Sequence, residues 1–280
     1  MDSRRRLRWD SKRLRRVRPG LAGLALLGLV STARAQIDYR NLDDDRPTLI
    51  EDAYPVERYA FEFLASWRYS RHGGNGGVHS FVPELEYGLL RNFHLGFKLP
   101  IAGAGSPTGR DWGISGVRVF GLYNINTEGP WLPALALRTD GVFPVGALAG
   151  EHTQVSVKAI ATRTWGGGRN RIHLNGAYTF GSEGPLAAAD PAHKWWAGAA
   201  IDHTLFRQST LLIAEAFALR SAASDPVEVN AAVGVRYQWT PTAVLDIGVA
   251  RRLRSTGPDY EVTIGISRAF AIAGLLPGGR

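Results

Sequence analysis

The chain has 280 residues, 45% of them hydrophobic, and no cysteine. That length suits one large domain or two small ones; the ordinary hydropathy excludes a bundle of membrane helices, and the missing thiols exclude cysteine catalysis, cysteine metal sites and a disulfide framework. The formal charge of +8 sits in the first 35 residues, which hold ten Arg and Lys against Asp2 and Asp10, while the remainder balances 23 basic against 23 acidic residues (33 − 10 and 25 − 2), so nothing calls for a nucleic-acid partner.

In chain order, a basic run over 4–18 precedes an apolar run over 21–30, and Ala33-Arg34-Ala35 puts small residues at the two positions a signal peptidase reads. Residues 1–35 are therefore expected to be a secretory signal peptide, cleaved before Gln36. The alternative, an uncleaved anchor, has an apolar run of about ten residues, roughly half of what a spanning helix needs. Residues 36–59 are polar, acidic at Asp43-Asp44-Asp45, and show no sustained alternation. They read as a periplasmic N-terminal segment that tucks into a barrel as a plug, or as a disordered tail.

Twelve strands follow at short, regular spacing with no helix between them: 60–69, 80–91, 93–101, 113–124, 132–144, 152–165, 171–180, 194–205, 210–220, 227–239, 243–252 and 260–270. The clearest is 227–239. Val227, Val229, Ala231, Val233, Val235, Tyr237 and Trp239 make one apolar face, and Glu228, Asn230, Arg236 and Gln238 lie on the other. Thr240-Pro241-Thr242 turns the chain, and the alternation resumes at Ala243, Leu245, Ile247 and Val249. Such a hairpin fits a soluble β-sandwich with the apolar face inward or a membrane β-barrel with that face toward lipid.

Two patterns favour the barrel. The connections alternate between long (72–77, 102–112, 181–193) and short (near Arg91-Asn92, 206–209, Thr240-Pro241), with 124–131 a middling exception. The tryptophans of the mature chain fall at or near predicted strand ends: Trp67, Trp112, Trp131, Trp165, Trp195 and Trp239, with Trp196 beside them. Indole prefers the membrane interface, whereas a sandwich core would hold most of them mid-strand. The last strand, with Tyr260, Val262, Ile264, Ile266 and Phe270 on one parity, looks like the closing strand of an outer-membrane barrel, followed by a tail over 271–280.

With apolar residues outward, the inward set includes Glu62, Arg68, Glu84, Glu86, Lys98, Arg118, Arg138, Asp140, Lys158, Asp202, Glu228, Arg236, Asp246 and Glu261. Both signs are present, which argues for internal salt bridges in a narrow or plugged passage rather than for strong ion selectivity. The stretch 211–219 breaks the pattern: Glu215 inward also places Ile213 and Phe217 inward, as an apolar lumenal patch or a different register. Candidate lumen-lining residues are Arg118, Arg138, Asp140, Glu215, Glu228, Arg236 and Asp246.

Arg46-Pro47, Glu51-Asp52-Ala53, Val56-Glu57 and Phe61-Glu62, with Phe143-Pro144-Val145-Gly146, together resemble the outer-membrane family named after the meta-cleavage pathway of phenol degradation (MetA-like). Val145 stands where that pattern has threonine. The resemblance implies a barrel and a transporter of small, aromatic or hydrophobic molecules.

Other chemistry finds little footing. His152 and Ser156, four residues apart on one predicted strand, are about 13 Å apart along it, too far for a hydrogen bond. His72 and His79 flank the glycine run without a third metal ligand. Gly73-Gly74-Asn75-Gly76-Gly77 opens no helix that would cradle phosphate. The expectation is an all-β protein: a transmembrane antiparallel up-and-down β-barrel of about 12 strands over 60–270 in the bacterial outer membrane. It would be a channel for small molecules, with no enzymatic step, cofactor or metal. Its partners would be outer-membrane lipid, the solute, and the barrel-assembly machinery during insertion. The alternatives are a lipid hydrolase with its site at the rim and a closed structural or adhesive barrel.

Overall fold

The computed structural model describes residues 36–73, 77–106, 109–181, 193–205, 209–221, 226–255 and 257–276. The expected signal peptide, much of the glycine run and residues 182–192, 206–208 and 222–225 lie outside them, as does the end of the tail.

Fourteen strand segments carry the fold: β1 (Phe61–Arg71), β2 (Gly77–Leu90), β3 (Phe93–Lys98), β4 (Ile101–Ser106), β5 (Gly109–Ile114), β6 (Val117–Asn126), β7 (Ala134–Phe143), β8 (Gln154–Trp165), β9 (Asn170–Phe180), β10 (His193–Leu205), β11 (Thr210–Ser221), β12 (Glu228–Thr240), β13 (Ala243–Arg254) and β14 (Tyr260–Phe270). Neighbours pair antiparallel from β6 through β14, β3 pairs β6 and β2, and β1 pairs both β2 and β14. The ring is closed. Every strand segment but β5, which pairs only β4 among the described residues, has a partner on both sides, as a structure that crosses lipid with strands requires.

β3 and β4 are successive parts of one crossing strand, as are β5 and β6, because β2 pairs β3 and then β4 while β4 pairs β5. That makes twelve crossings. The first break falls at Leu99-Pro100, where proline lacks an N–H to give the ladder. Hydrogen bonds from Leu99 N to Pro83 O and from Ser115 N to Pro100 O, 3.0 and 2.9 Å, carry the pairing across it. The second break falls at Ser115-Gly116, where Gly116 takes φ +120°, a conformation that side chains rarely adopt.

The faces follow the alternation. Val233, Leu174, Ile247 and Ile264 point outward and are between 49% and 60% exposed. Asn230, Ala232 and Arg236, on the other parity of β12, are buried. A one-residue slip would turn Glu228 and Arg236 toward lipid, at about 2–4 kcal/mol for an arginine near the bilayer midplane. The connections after β2, β8 and β12 are short; those after β7, β9 and β11 are longer. Phe61 is in register with Phe270 and stacks on it at 5.3 Å, so the barrel begins and ends at the short-turn rim.

The connection expected over 102–112 is mostly strand, in β4 and β5, and three further details bear on the expectations. The strand expected over 152–165 begins at Gln154, which leaves His152 in the preceding connection, so His152 and Ser156 share no strand. His79 lies on the outer face against Trp67, Tyr69 and Trp112, while His72 lines the lumen mouth, so the two histidines do not converge. Trp196 is buried, with Lys158 Nζ 5.2 Å over its ring, because Trp195 takes the outward position. The six tryptophans of the expected belt lie on the barrel's outer face or beyond its strand ends. Trp67, Trp112 and Trp195 sit toward the long-loop rim; Trp131, Trp165 and Trp239 sit toward the short-turn rim.

Candidate functional site

The site is the lumen, and residues 36–59 run through it. Ile37, Leu42, Arg46, Ile50, Glu51, Asp52 and Ala53 are each almost fully buried although their segment has almost no regular secondary structure. A chain without ladder partners must satisfy its polar groups elsewhere, and here the inward side chains of the barrel do so. Glu215 accepts the N–H groups of Leu49 and Ile50 at 2.8 and 2.9 Å. Asn175 closes a two-bond clasp on Glu51, its Oδ1 accepting from Glu51 N and its Nδ2 donating to Glu51 O. Ala53 N donates to Thr162 Oγ1, Asn124 Nδ2 donates to Ala53 O, and Val56 N donates to His94 Nδ1.

Charge makes the second set of contacts. Basic residues crowd the wall from β3 to β9: Lys98, Arg118, Arg138, Lys158 and Arg171. The segment brings acids to them. Asp44 lies 3.3 Å from Lys98, 3.6 Å from Arg118 and 3.5 Å from Arg138, and is bonded to Lys158. Glu51 bridges Arg138 at 2.8 Å and Lys158 at 2.9 Å. Asp52 meets Arg171 at 3.1 Å. On the far side Asp43 takes Arg236 at 2.9 Å and its own neighbour Arg46 at 2.8 Å, and Arg46 reaches Ser267 Oγ at 3.1 Å. Burial pushes the Asp44 carboxyl up, but Lys158, Lys98, Arg138 and Arg118 outweigh it and hold Asp44 well below the usual carboxylate range. Burial pushes Asp52 up despite Arg171.

Apolar packing makes the third. Ile37, Leu42 and Ile50 join Leu211, Ile213, Phe217 and Leu219 of β11 in one buried cluster. The break in alternation on β11 is thus an apolar lumenal stripe, covered by the segment. The opposed pair Gly234 and Gly248 on β12 and β13 lets the backbone pass: a Cβ at Gly248 would collide with the carbonyl of Pro47, and one at Gly234 with its ring.

The structure places the candidate lumen residues as follows. Arg138, Asp140, Glu215, Glu228, Arg236 and Asp246 are buried, and Arg118 is partly so. Arg138 is the hub. It holds Asp140 at 2.9 Å and Glu51 at 2.8 Å, and stacks over Phe120 at 3.7 Å. Arg236 and Asp246 are opposed in register, yet Arg236 turns to Asp43. Glu228 and Glu215 line a cavity of about 300 Å³ that faces the long-loop rim, with Phe217, Asn230, Arg252 and Glu261. A second cavity of about 320 Å³ lies toward the short-turn rim, lined by Arg40, Tyr54, Glu62 and Arg171 among others. Residues 36–59 contribute to the walls of both and lie between them.

The sequence reading places Asp202 among the inward charges but gives no role to Thr162 or His173. Thr162 Oγ1 meets His173 Nδ1 at 3.0 Å and His173 Nε2 meets Asp202 Oδ2 at 3.0 Å. The order is that of a nucleophile, base and acid. However, Thr162 is fully buried and its oxygen already accepts the Ala53 N–H, so the chain of bonds anchors the segment.

No protein family matches the chain, and no curated protein matches it. Solved structures do. An outer membrane channel from Pseudomonas putida F1 aligns with 78% of this chain and 98% of its own at 15% identity, with a TM-score of 0.57. The KdgM porin aligns with 74% of this chain and 99% of its own at 12% identity, TM-score 0.51. The same porin in complex with disordered oligogalacturonate gives 75%, 99%, 9% and 0.52. These likenesses establish the fold, a closed antiparallel β-barrel.

Proposed function

We propose that the protein is an outer-membrane channel for small molecules, closed at rest by its own residues 36–59. One observation carries the reading: a polar lumen opens at both rims into cavities of about 300 and 320 Å³, and a lumenal segment separates them. A structural or adhesive barrel has no need of two such mouths. Support for the location comes from the apolar outer face with tryptophans toward both rims. Residues 1–35 are proposed to be the export signal.

The solute we propose is small and amphipathic or aromatic. The long-loop cavity combines Phe217 and Leu219 with Glu215, Glu228 and Asn230, an apolar floor under polar groups. The resemblance to the MetA-like family points the same way. Planar-bilayer conductance and liposome swelling with phenols, fatty acids and sugars test the reading. Deletion of 37–52 should raise conductance severalfold and admit the solutes; a deletion barrel that stays as closed as the intact one refutes it.

A further inference from the structure

Where β1 and β2 pair, the lumen holds more negative charge than its cations balance. Glu62 and Glu86 are directly opposed in register, and both are buried, at 3% and 2% exposure. Like charges directly opposite on one sheet face destabilise each other. Asp43 of the lumenal segment comes down between them, and one carboxylate oxygen from each of the three lies within 4.8 Å of the others.

The neighbouring cations reach Asp43 and Glu84 rather than either glutamate of the opposed pair. Arg46 and Arg236 both bond to Asp43 through Oδ2, and Lys98 lies 3.3 Å from both Glu84 and Asp44. His94 Nδ1 is 3.8 Å from Glu86, but it accepts the Val56 N–H and so has no proton to offer there. Five carboxylates, Asp43, Glu62, Glu84, Glu86 and Asp246, thus share Arg46, Arg236 and Lys98. Two negative charges are left over. Independently of the cluster's composition, Glu62 Oε1 and Glu86 Oε2 have no hydrogen-bond partner among the described residues. A buried carboxylate oxygen without a partner is costly.

We propose that Asp43, Glu62 and Glu86 form a site for one divalent cation, calcium by its size, which ties the lumenal segment to the wall at the β1–β2 pair. Metal–oxygen distances of about 2.3–2.6 Å let one calcium ion touch oxygens up to this far apart, and calcium tolerates irregular oxygen sets where magnesium demands near-ideal octahedral geometry. The ion supplies the two missing positive charges and takes up the two unpartnered oxygens. It also makes closure of the lumen depend on external calcium, since Asp43 belongs to the segment and both glutamates to the barrel.

The test uses the mature full-length barrel, stripped of metal in a zwitterionic detergent, with equilibrium dialysis against radioactive calcium. The wild type should bind one ion per barrel, and Glu86→Gln and Glu62→Gln should each lower the affinity at least tenfold. A second measurement does not depend on those variants folding. An Ile50→Cys barrel carries a single buried thiol, and calcium should slow its labelling by a maleimide at least severalfold. Absence of binding at millimolar calcium, uptake unaffected by both glutamine variants, or a labelling rate that calcium leaves unchanged overturns the site.

Discussion

Asp44 carries the densest set of contacts between segment and wall, so its removal gives the sharpest forecast. Its carboxylate is buried and meets Lys98, Arg118, Arg138 and Lys158. Asp44→Ala leaves those cations short of a counter-charge in a site closed to water. Removing one partner of a buried ion pair costs about 3–5 kcal/mol, and about 1.4 kcal/mol is a factor of ten. The docking equilibrium of the segment should therefore weaken by about two to three and a half orders of magnitude. The chain has no native cysteine, so Ile50→Cys gives a unique reporter at a fully buried position. When labelling is limited by transient undocking, its rate follows the open population. The Ile50→Cys, Asp44→Ala barrel should label at least 100-fold faster than Ile50→Cys alone, while heat-modifiable migration on gels stays that of a folded barrel. A change under tenfold would mean that the ionic contacts do not hold the segment.

Three further outcomes follow from the same contacts. Gly248→Ala drives a Cβ into the carbonyl of Pro47; overpacking of this kind costs about 1–3 kcal/mol, so Ile50→Cys labelling should accelerate by about 5- to 150-fold with barrel thermal stability little changed. Glu215→Ala deprives two buried N–H groups of their acceptor, at about 1–3 kcal/mol each, and hydrogen exchange read by mass spectrometry should quicken in the peptide holding Leu49 and Ile50. The Asp44 carboxyl titrates below its released value of 3.8 when docked. Its contribution is thus complete above the released value and disappears as pH falls through the docked one. Conductance should stay flat from about pH 7 to about pH 4 and rise only in stronger acid; opening between pH 7 and 5 would assign the pH response to other groups.

The barrel was legible because its signal is local. Period-two alternation on 227–239 and 260–270 needs no knowledge of partners, and a strand's parity alone says which side chains meet lipid. The lumenal segment was legible only in outline. Its residues lack a period, and their bonds join positions as distant in sequence as Asp43 and Arg236. The traces it left in the wall were visible but ambiguous. The charges on the inward faces nearly balance by count, which suggested wall-to-wall ion pairs. Their order around the ring is what matters, since Lys98 to Arg171 gather the bases on one side and the segment's own acids answer them. The stripe of Leu211, Ile213 and Phe217 looked like a possible register fault, and is the seat of Ile50. The Gly234–Gly248 pair carries no such trace, because a glycine opposite a glycine reads as a weak spot in a ladder until something is seen to pass over it.

The two sides of the segment divide the work of closure. Apolar contacts with β11 drive docking but would tolerate a shift along the stripe, because they have little directional preference. The ionic contacts forbid it. Slipping the segment by two residues toward its N-terminus would deliver Arg46 to the pocket of Lys98, Arg138 and Lys158, like charge on like. Docking is therefore all-or-none in position, and the way past the docked segment lies where the contacts are thinnest. Both cavities touch the β1–β14 seam, at Arg68, Glu261 and Thr263 above and at Glu62 and Ala269 below. Between them stand Ser66 and Ser267 on the wall and the Arg46 side chain, bonded to Ser267 and to Ile266 O. Arg46→Ala should join the cavities along this seam and give a conductance smaller than that of the 37–52 deletion, since the rest of the segment still fills the lumen. A barrel that is as closed as the wild type after this change would place the constriction away from β1 and β14.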